Sequence, residues 1–97
     1  MIFIINPKKL NFIPYSHKQY LRQGTVCRLQ NGDLVLIDAD DRENSSSFKE
    51  LNYYCFKVKE NYQEISLKDY NDTRYRMINQ DEIISYSKQK IYGNERK

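Results

Sequence analysis

His17 is the one histidine in the chain, and it stands beside Lys18. A general base needs an orienting partner and a zinc ion needs three or four ligands; neither cluster lies near it in the sequence. It reads as a surface histidine. Cys27 and Cys55 both fall in segments with strand character. With two cysteines and no secretory apolar region, buried reduced thiols are expected, and a disulfide would require their two strands to be neighbours. Neither cysteine has a base nearby in sequence to make it a nucleophile. Asp38-x-Asp40-Asp41-x-Glu43 invites a calcium reading. However, Arg42 takes the third ligand slot, Glu43 stands where glycine is required, and Lys49 replaces the bidentate glutamate. A solvated acidic loop is expected there. P-loop, GxGxxG, HExxH and nucleophile-elbow spacings are absent. The expectation is a protein without catalytic residues, metal or cofactor.

The tyrosines are the more suggestive chemistry. Nine of them exceed what a core this small can hide. Surplus exposed tyrosine serves either as contact area for a protein or as a stacking platform for bases. Lys57, Lys59, Arg74 and Arg76 interleave with Tyr53, Tyr62 and Tyr75, which makes single-stranded nucleic acid a legitimate partner. The sequence pI of about 8.8 and the acidic loop favour a protein partner instead. The charge is also segregated. Residues 1–32 carry Lys8, Lys9, Lys18, Arg22 and Arg28 with no carboxylate. Residues 33–50 carry six carboxylates, Asp38, Asp40 and Asp41 among them, against Arg42 and Lys49. Such asymmetry would orient an encounter with a charged partner. A third reading takes the acids as an imitation of phosphate, in a mobile-element protein that blocks a host or defence nuclease.

These residues must be positioned by a small domain of 97 residues. Alanine occurs once, at Ala39, while Ile, Tyr and Phe carry the apolar load, which fits pleated surfaces. Asn, Lys, Ile and Tyr make up 38 residues, the bias of A/T-rich coding sequence in a low-GC bacterium or its mobile elements. No apolar run exceeds five residues, so no membrane span is expected and a cytoplasmic location is assigned. Met1 to Ile5 reads as a strand stopped by Asn6-Pro7. Pro14 keeps the next extended stretch out of a central ladder position. Ser16 with Gln19 has capping-box form and Gly24 suits a helix stop, predicting a short helix over 17–23.

Thr25 to Gln30, Asn31-Gly32 and Asp33 to Asp38 predict a hairpin with a two-residue type I′ turn. That turn would set Leu29 opposite Leu34 and Cys27 opposite Leu36, on one face, with Val26, Val35 and Ile37 on the other. Residues 53–59 alternate with Tyr54, Phe56 and Val58 inward. Ile65 and Leu67 mark a further strand, and residues 69–72 a turn. Asn79 and Glu82 form a capping box before Ile83, leading either to a single 3₁₀ turn and a strand over 83–87 or to a helix toward Ile91. The fold class expected is mainly β: one small domain over 1–93, a curled sheet or SH3-like barrel with a short helix. A mixed α+β domain is the alternative, and residues 94–97 form a frayed tail.

Gln23-Gly24-Thr25-Val26 with the strand pair that follows, and Tyr75-Arg76-Met77-Ile78-Asn79-Gln80-Asp81-Glu82-Ile83, resemble a family of short proteins encoded beside LXG-type toxins in type VII secretion loci. The resemblance covers residues 21–92. The chain lacks that family's central Tyr-Pro-x-Gly, and Lys57-Val58-Lys59-Glu60-Asn61 stands in its place. The resemblance implies an accessory role beside a secreted toxin, through protein contacts and without catalysis. The function expected is therefore that of a protein-binding adaptor or inhibitor.

Overall fold

The structure, a computed structural model, describes residues 2–16, 20–41, 51–60, 63–66, 74–89 and 93–94. Its organising element is the hairpin of β3 (Val26–Leu29) and β4 (Leu34–Asp40). Asn31-Gly32 turns the chain, but by a longer loop than the type I′ turn expected. The Gly32 N–H donates to the Leu29 carbonyl and the Leu29 N–H donates to the Asp33 carbonyl, both at 2.9 Å. Gln30, Asn31 and Gly32 thus form a three-residue loop, closed by Gly32 at φ +90°. The register is shifted by one residue from the expected pairing, with Val26 opposite Leu36, Cys27 opposite Val35 and Arg28 opposite Leu34. A one-residue slip exchanges the faces of a whole strand. Cys27 and Leu29 accordingly share a core with Val35 and Ile37, while Val26 joins Leu34 and Leu36.

Around this hairpin lies an antiparallel sheet of six strands. Besides β3 and β4 it contains β2 (Phe12–Pro14), β5 (Asn52–Val58), β7 (Ile78–Asn79) and β8 (Ile83–Ser87). The order is β2-β8-β3-β4-β5-β7. Pro14 sits on an end strand, where a missing N–H costs the ladder nothing. β2 and β7 are the two ends of this sheet, so it is a curled open sheet and not the closed SH3-like barrel that was the other form expected. A second sheet of three strands sets β1 (Ile2–Ile5) between β6 (Gln63–Ser66) and β9 (Gly93–Asn94). Asn94 pairs with Ile2, so the chain is still in register one residue past Gly93, where fraying was expected to begin. The expected tail residues 95–97 lie outside the described residues.

Both faces of the larger sheet are buried. One holds Cys27, Leu29, Val35, Ile37, Tyr53, Cys55, Ile78 and Ile83, joined by Tyr15, Leu21 and Leu51 from the connections. The other holds Val26, Leu34, Leu36, Phe56 and Val58, against which Ile5 brings β1 and Leu10 and Phe12 pack. The chain is mainly β, and its helical turns among the described residues are 3₁₀: Pro7–Lys9 and Gln80–Glu82. The second carries the expected capping box and leads directly into β8, which selects the strand over the helix for residues 83–87. No helix among the described residues is long and apolar enough to cross a membrane.

The helix predicted over 17–23 is not formed where it can be seen. Residues 17–19 lie outside the described residues, and residues 20–22 are irregular before a turn at Gln23-Gly24. The reason is the destination of Leu21. Its side chain is buried, and its N–H donates to the Tyr53 hydroxyl at 3.0 Å instead of to a helical carbonyl. The turn at residues 69–72 and the position of Leu67 also lie outside the described residues.

Two substitutions test this architecture. A Cβ at Gly32 would meet no atom within 4 Å, so Gly32→Val should be penalised only by its positive φ, at about 1–2 kcal/mol. A lowered denaturant midpoint is expected, and an unchanged one would contradict the three-residue loop. Tyr53→Phe should cost about 1–3 kcal/mol by leaving the Leu21 N–H unsatisfied in the core. Calorimetric unfolding measures that cost, and amide exchange at Leu21 should accelerate with it.

Candidate functional site

The residues expected to form one binding surface are divided among three places. Tyr53 is a correction: it is fully buried, and the ring faces the first core instead of a ligand. Burial raises its phenol pKa, and it raises that of Tyr15, whose hydroxyl donates to Gln80 Oε1 at 3.5 Å. Tyr15 also meets Tyr86 edge to face, with ring centroids 6.0 Å apart. Tyr62 lies outside the described residues.

Tyr75 and Arg76 form a corner beside the β3–β4 loop. The Tyr75 N–H donates to the Cys55 carbonyl at 3.0 Å, which ties this segment to β5. The Tyr75 hydroxyl donates to Asp33 Oδ2 at 2.7 Å and accepts from Asn31 Nδ2 at 3.0 Å. Arg76 lies over the Tyr75 ring, its Cζ 5.3 Å from the centroid. Its guanidinium is bidentate on Glu82, with the Nη1 to Oε2 arm at 3.1 Å. Glu82 Oε2 also accepts the Asn79 N–H at 2.8 Å, closing the capping box. Arg76 holds the Glu82 carboxyl below the usual carboxylate range, opposed in part by burial and helped by the Asn79 amide. Met77 follows, 47% exposed. Arg74 is bridged to Phe56, and the exposed Lys57 and Lys59 are on or just beyond β5. Lys57, Arg74, Tyr75 and Arg76 are thus brought to one region of the fold.

Asp38, Asp40 and Asp41 lie at the opposite end of β4. Between Ile37 opposite Cys55 and Ala39 opposite Tyr54 the register shifts, leaving Asp38 as the extra residue of a β-bulge. Asp38 Oδ1 accepts from Gln23 Nε2 at 3.0 Å, and Asp41 accepts the Asn52 N–H and side-chain amide at 2.9 and 3.2 Å. No three His, Cys, Asp or Glu side chains come together for a metal among the described residues. Cys27 and Cys55 are free thiols in the same core. Burial pushes the Cys55 thiol up to about 12 despite the opposing charge of Arg76, and raises Cys27 as well. Both are protonated near neutral pH, the state in which a cysteine is a poor nucleophile.

The third place was not among the expected residues. At the Asp38 end of the sheet, Tyr20, Arg22, Thr25, Tyr86, Ser87 and Lys88, with Leu21, line an open groove of about 110 Å³. Cys27 pairs with Tyr86 across β3 and β8, which sets Ser87 against Val26; Ser87 Oγ accepts the Val26 N–H at 2.9 Å. The Ile37 N–H donates to the Thr25 carbonyl at 2.8 Å and fixes the groove's other wall. The carboxylate-free run of residues 1–32 supplies Arg22, and the basic C-terminal region supplies Lys88. Charge alone could have nominated the two cations, but nothing local joined them. Comparison with family models, curated proteins and solved structures gives no match.

The Arg76–Glu82 pair makes a pH prediction. A carboxylate whose pKa is depressed on folding contributes stability above its unfolded pKa and loses it as pH falls through its folded value. Arg76→Gln should therefore destabilise the protein slightly at neutral pH, as befits an exposed pair, and the difference from wild type should vanish in acid. Carboxyl-carbon NMR should show Glu82 titrating below the ordinary range in the wild type and moving back toward it in the variant.

Proposed function

We propose that this chain is a non-enzymatic adaptor or inhibitor that engages a protein partner through the corner of Tyr75, Arg76 and Met77. The observation that supports this reading most is the state of that corner. Tyr, Arg and Met are the types enriched at protein interfaces, and here they are consecutive. Tyr75 is held by Asp33 and Asn31, and Arg76 is held by Glu82, so little side-chain freedom remains to be lost on binding. The same arrangement weakens the case for nucleic acid. Phosphate binding draws on uncompensated cations, and Arg76 already has a carboxylate partner, as Arg28 does in Glu60 at 2.7 Å. The stacking platform also loses Tyr53 to the core. An accessory role beside a secreted toxin, in the cytoplasm of a low-GC bacterium, is the setting this proposal takes.

Affinity capture from a low-GC bacterial lysate, with and without nuclease, tests the reading against a Met77→Asp variant. A protein retained after nuclease and in moderate salt, and lost by at least about tenfold with Met77→Asp, is the expected result. Binding of a fluorescent oligonucleotide at micromolar affinity in physiological salt, steeply weakened by added salt and abolished by Lys57→Glu with Lys59→Glu, would decide for nucleic acid instead.

A further inference from the structure

The groove at the other end of the sheet has a composition that the protein-binding corner does not explain. Arg22 and Lys88 contribute two positive charges, and none of the described residues that line it is a carboxylate. Neither cation forms an ion pair among the described residues, whereas Arg28 and Arg76 both do. The Asp38 carboxylate at this end of the sheet accepts from Gln23, and neither it nor Asp40 nor Asp41 is among the described residues that line the groove. Two hydroxyl residues, Thr25 and Ser87, line the same groove. Thr25 is 3% exposed, and its hydroxyl makes no hydrogen bond among the described residues. Ser87 is 2% exposed, and its oxygen accepts from the Val26 N–H, leaving its proton to donate. Buried hydroxyls in native proteins find partners, so one without a partner on a groove wall calls for a ligand or a water.

We infer that this groove binds a phosphate monoester. The charge matches: a monoester dianion neutralises Arg22 and Lys88 together, whereas a carboxylate would leave one cation unmatched. The donors match as well. A guanidinium fork fits the edge of a phosphate, an ammonium acts as a point charge, and the Thr25 and Ser87 hydroxyls can reach further oxygens. The open volume admits a group of that size with its waters. Tyr20 and the half-buried Tyr86, whose ring also meets Tyr15, line the groove beside the cations and give a planar base aromatic contact area that phosphate alone would not use, so a nucleotide suits the site better. The site stands apart from the Tyr75 corner and holds whether or not that corner binds a protein.

Titration calorimetry with inorganic phosphate, adenosine monophosphate, adenosine and acetate tests this, followed by amide shifts at Thr25, Ser87 and Lys88. Saturable binding of phosphate, tighter binding of the nucleotide and none of acetate are expected. Equal affinity for phosphate and nucleotide would still support the site and assign it to the phosphate alone. Arg22→Gln and Lys88→Gln should each weaken binding about tenfold, and both side chains are exposed, so the fold should survive. Thr25→Val should weaken binding while leaving the unliganded protein as stable or more stable, since it removes a buried hydroxyl without a partner. Met77→Asp should leave phosphate binding unchanged. Absence of saturable binding by phosphate and nucleotide, adenosine binding as tightly as its monophosphate, or affinity unchanged in both Arg22→Gln and Lys88→Gln would overturn the inference.

Discussion

Leu34, Val35, Leu36 and Ile37 alternate across β4, yet none of the four reaches solvent. A strand with apolar side chains on both faces must be covered on both sides and flanked by partners along both edges. The rest of the fold meets that demand. β3 and β5 take the two edges of β4, and β8 and β7 extend the sheet beyond them. Tyr15, Leu21 and Leu51 come from connections to cover one face, while Ile5 brings the three-stranded sheet to the other. Each such apolar side chain contributes roughly 1.5–3 kcal/mol by leaving water. Two thin cores therefore replace the single core of a closed barrel, and each is completed by segments distant in sequence.

The same two-sidedness explains which parts of the fold are legible in the sequence. Asn31-Gly32 between apolar runs announces a hairpin, but the dipeptide serves a two-residue loop and a three-residue loop alike. The difference is one residue, and it reverses every facing pair. In β5 the alternation of Tyr54, Phe56 and Val58 suggests one inward face. With both faces covered, Tyr53 and Cys55 are buried as deeply as Phe56, and an apparent surface ring becomes a core residue. The Asn79 and Glu82 capping box, by contrast, is a local device within four residues and is formed as its spacing implies. Local chemistry is readable where a motif closes on itself; register and burial depend on partners that spacing does not name.

Bulges then decide what the two ends of the sheet present. At Asp38 the extra residue ends the apolar run of β4 and turns a carboxylate toward Gln23. In β8 the shift between Ser85 and Ile83 leaves Ile84 as the extra residue, exposed, while its carbonyl accepts the Tyr15 N–H at 3.1 Å. Bulges bend a strand and re-aim its side chains. Past the second one, Tyr86 and Ser87 fall beside Cys27 and Val26, the arrangement on which the groove depends. Arg22 and Thr25 lie more than sixty residues from Ser87 and Lys88 in the chain, so no sequence spacing could have joined them.

Two arginines find carboxylate partners across this framework. Arg28 from the carboxylate-free region meets Glu60, and Arg76 meets Glu82. Pairs as exposed as these add little stability, so their consequence is mainly geometric. Arg76 is fixed over the Tyr75 ring, and Arg28, which also donates to the Gly32 carbonyl at 2.8 Å, clasps the loop that sets the hairpin register. Arg22 and Lys88 stand outside this pairing, at the end of the sheet away from the Tyr75 corner. A corner whose arginine is held by a carboxylate and a groove whose two cations have no ion-pair partner among the described residues suit different ligands.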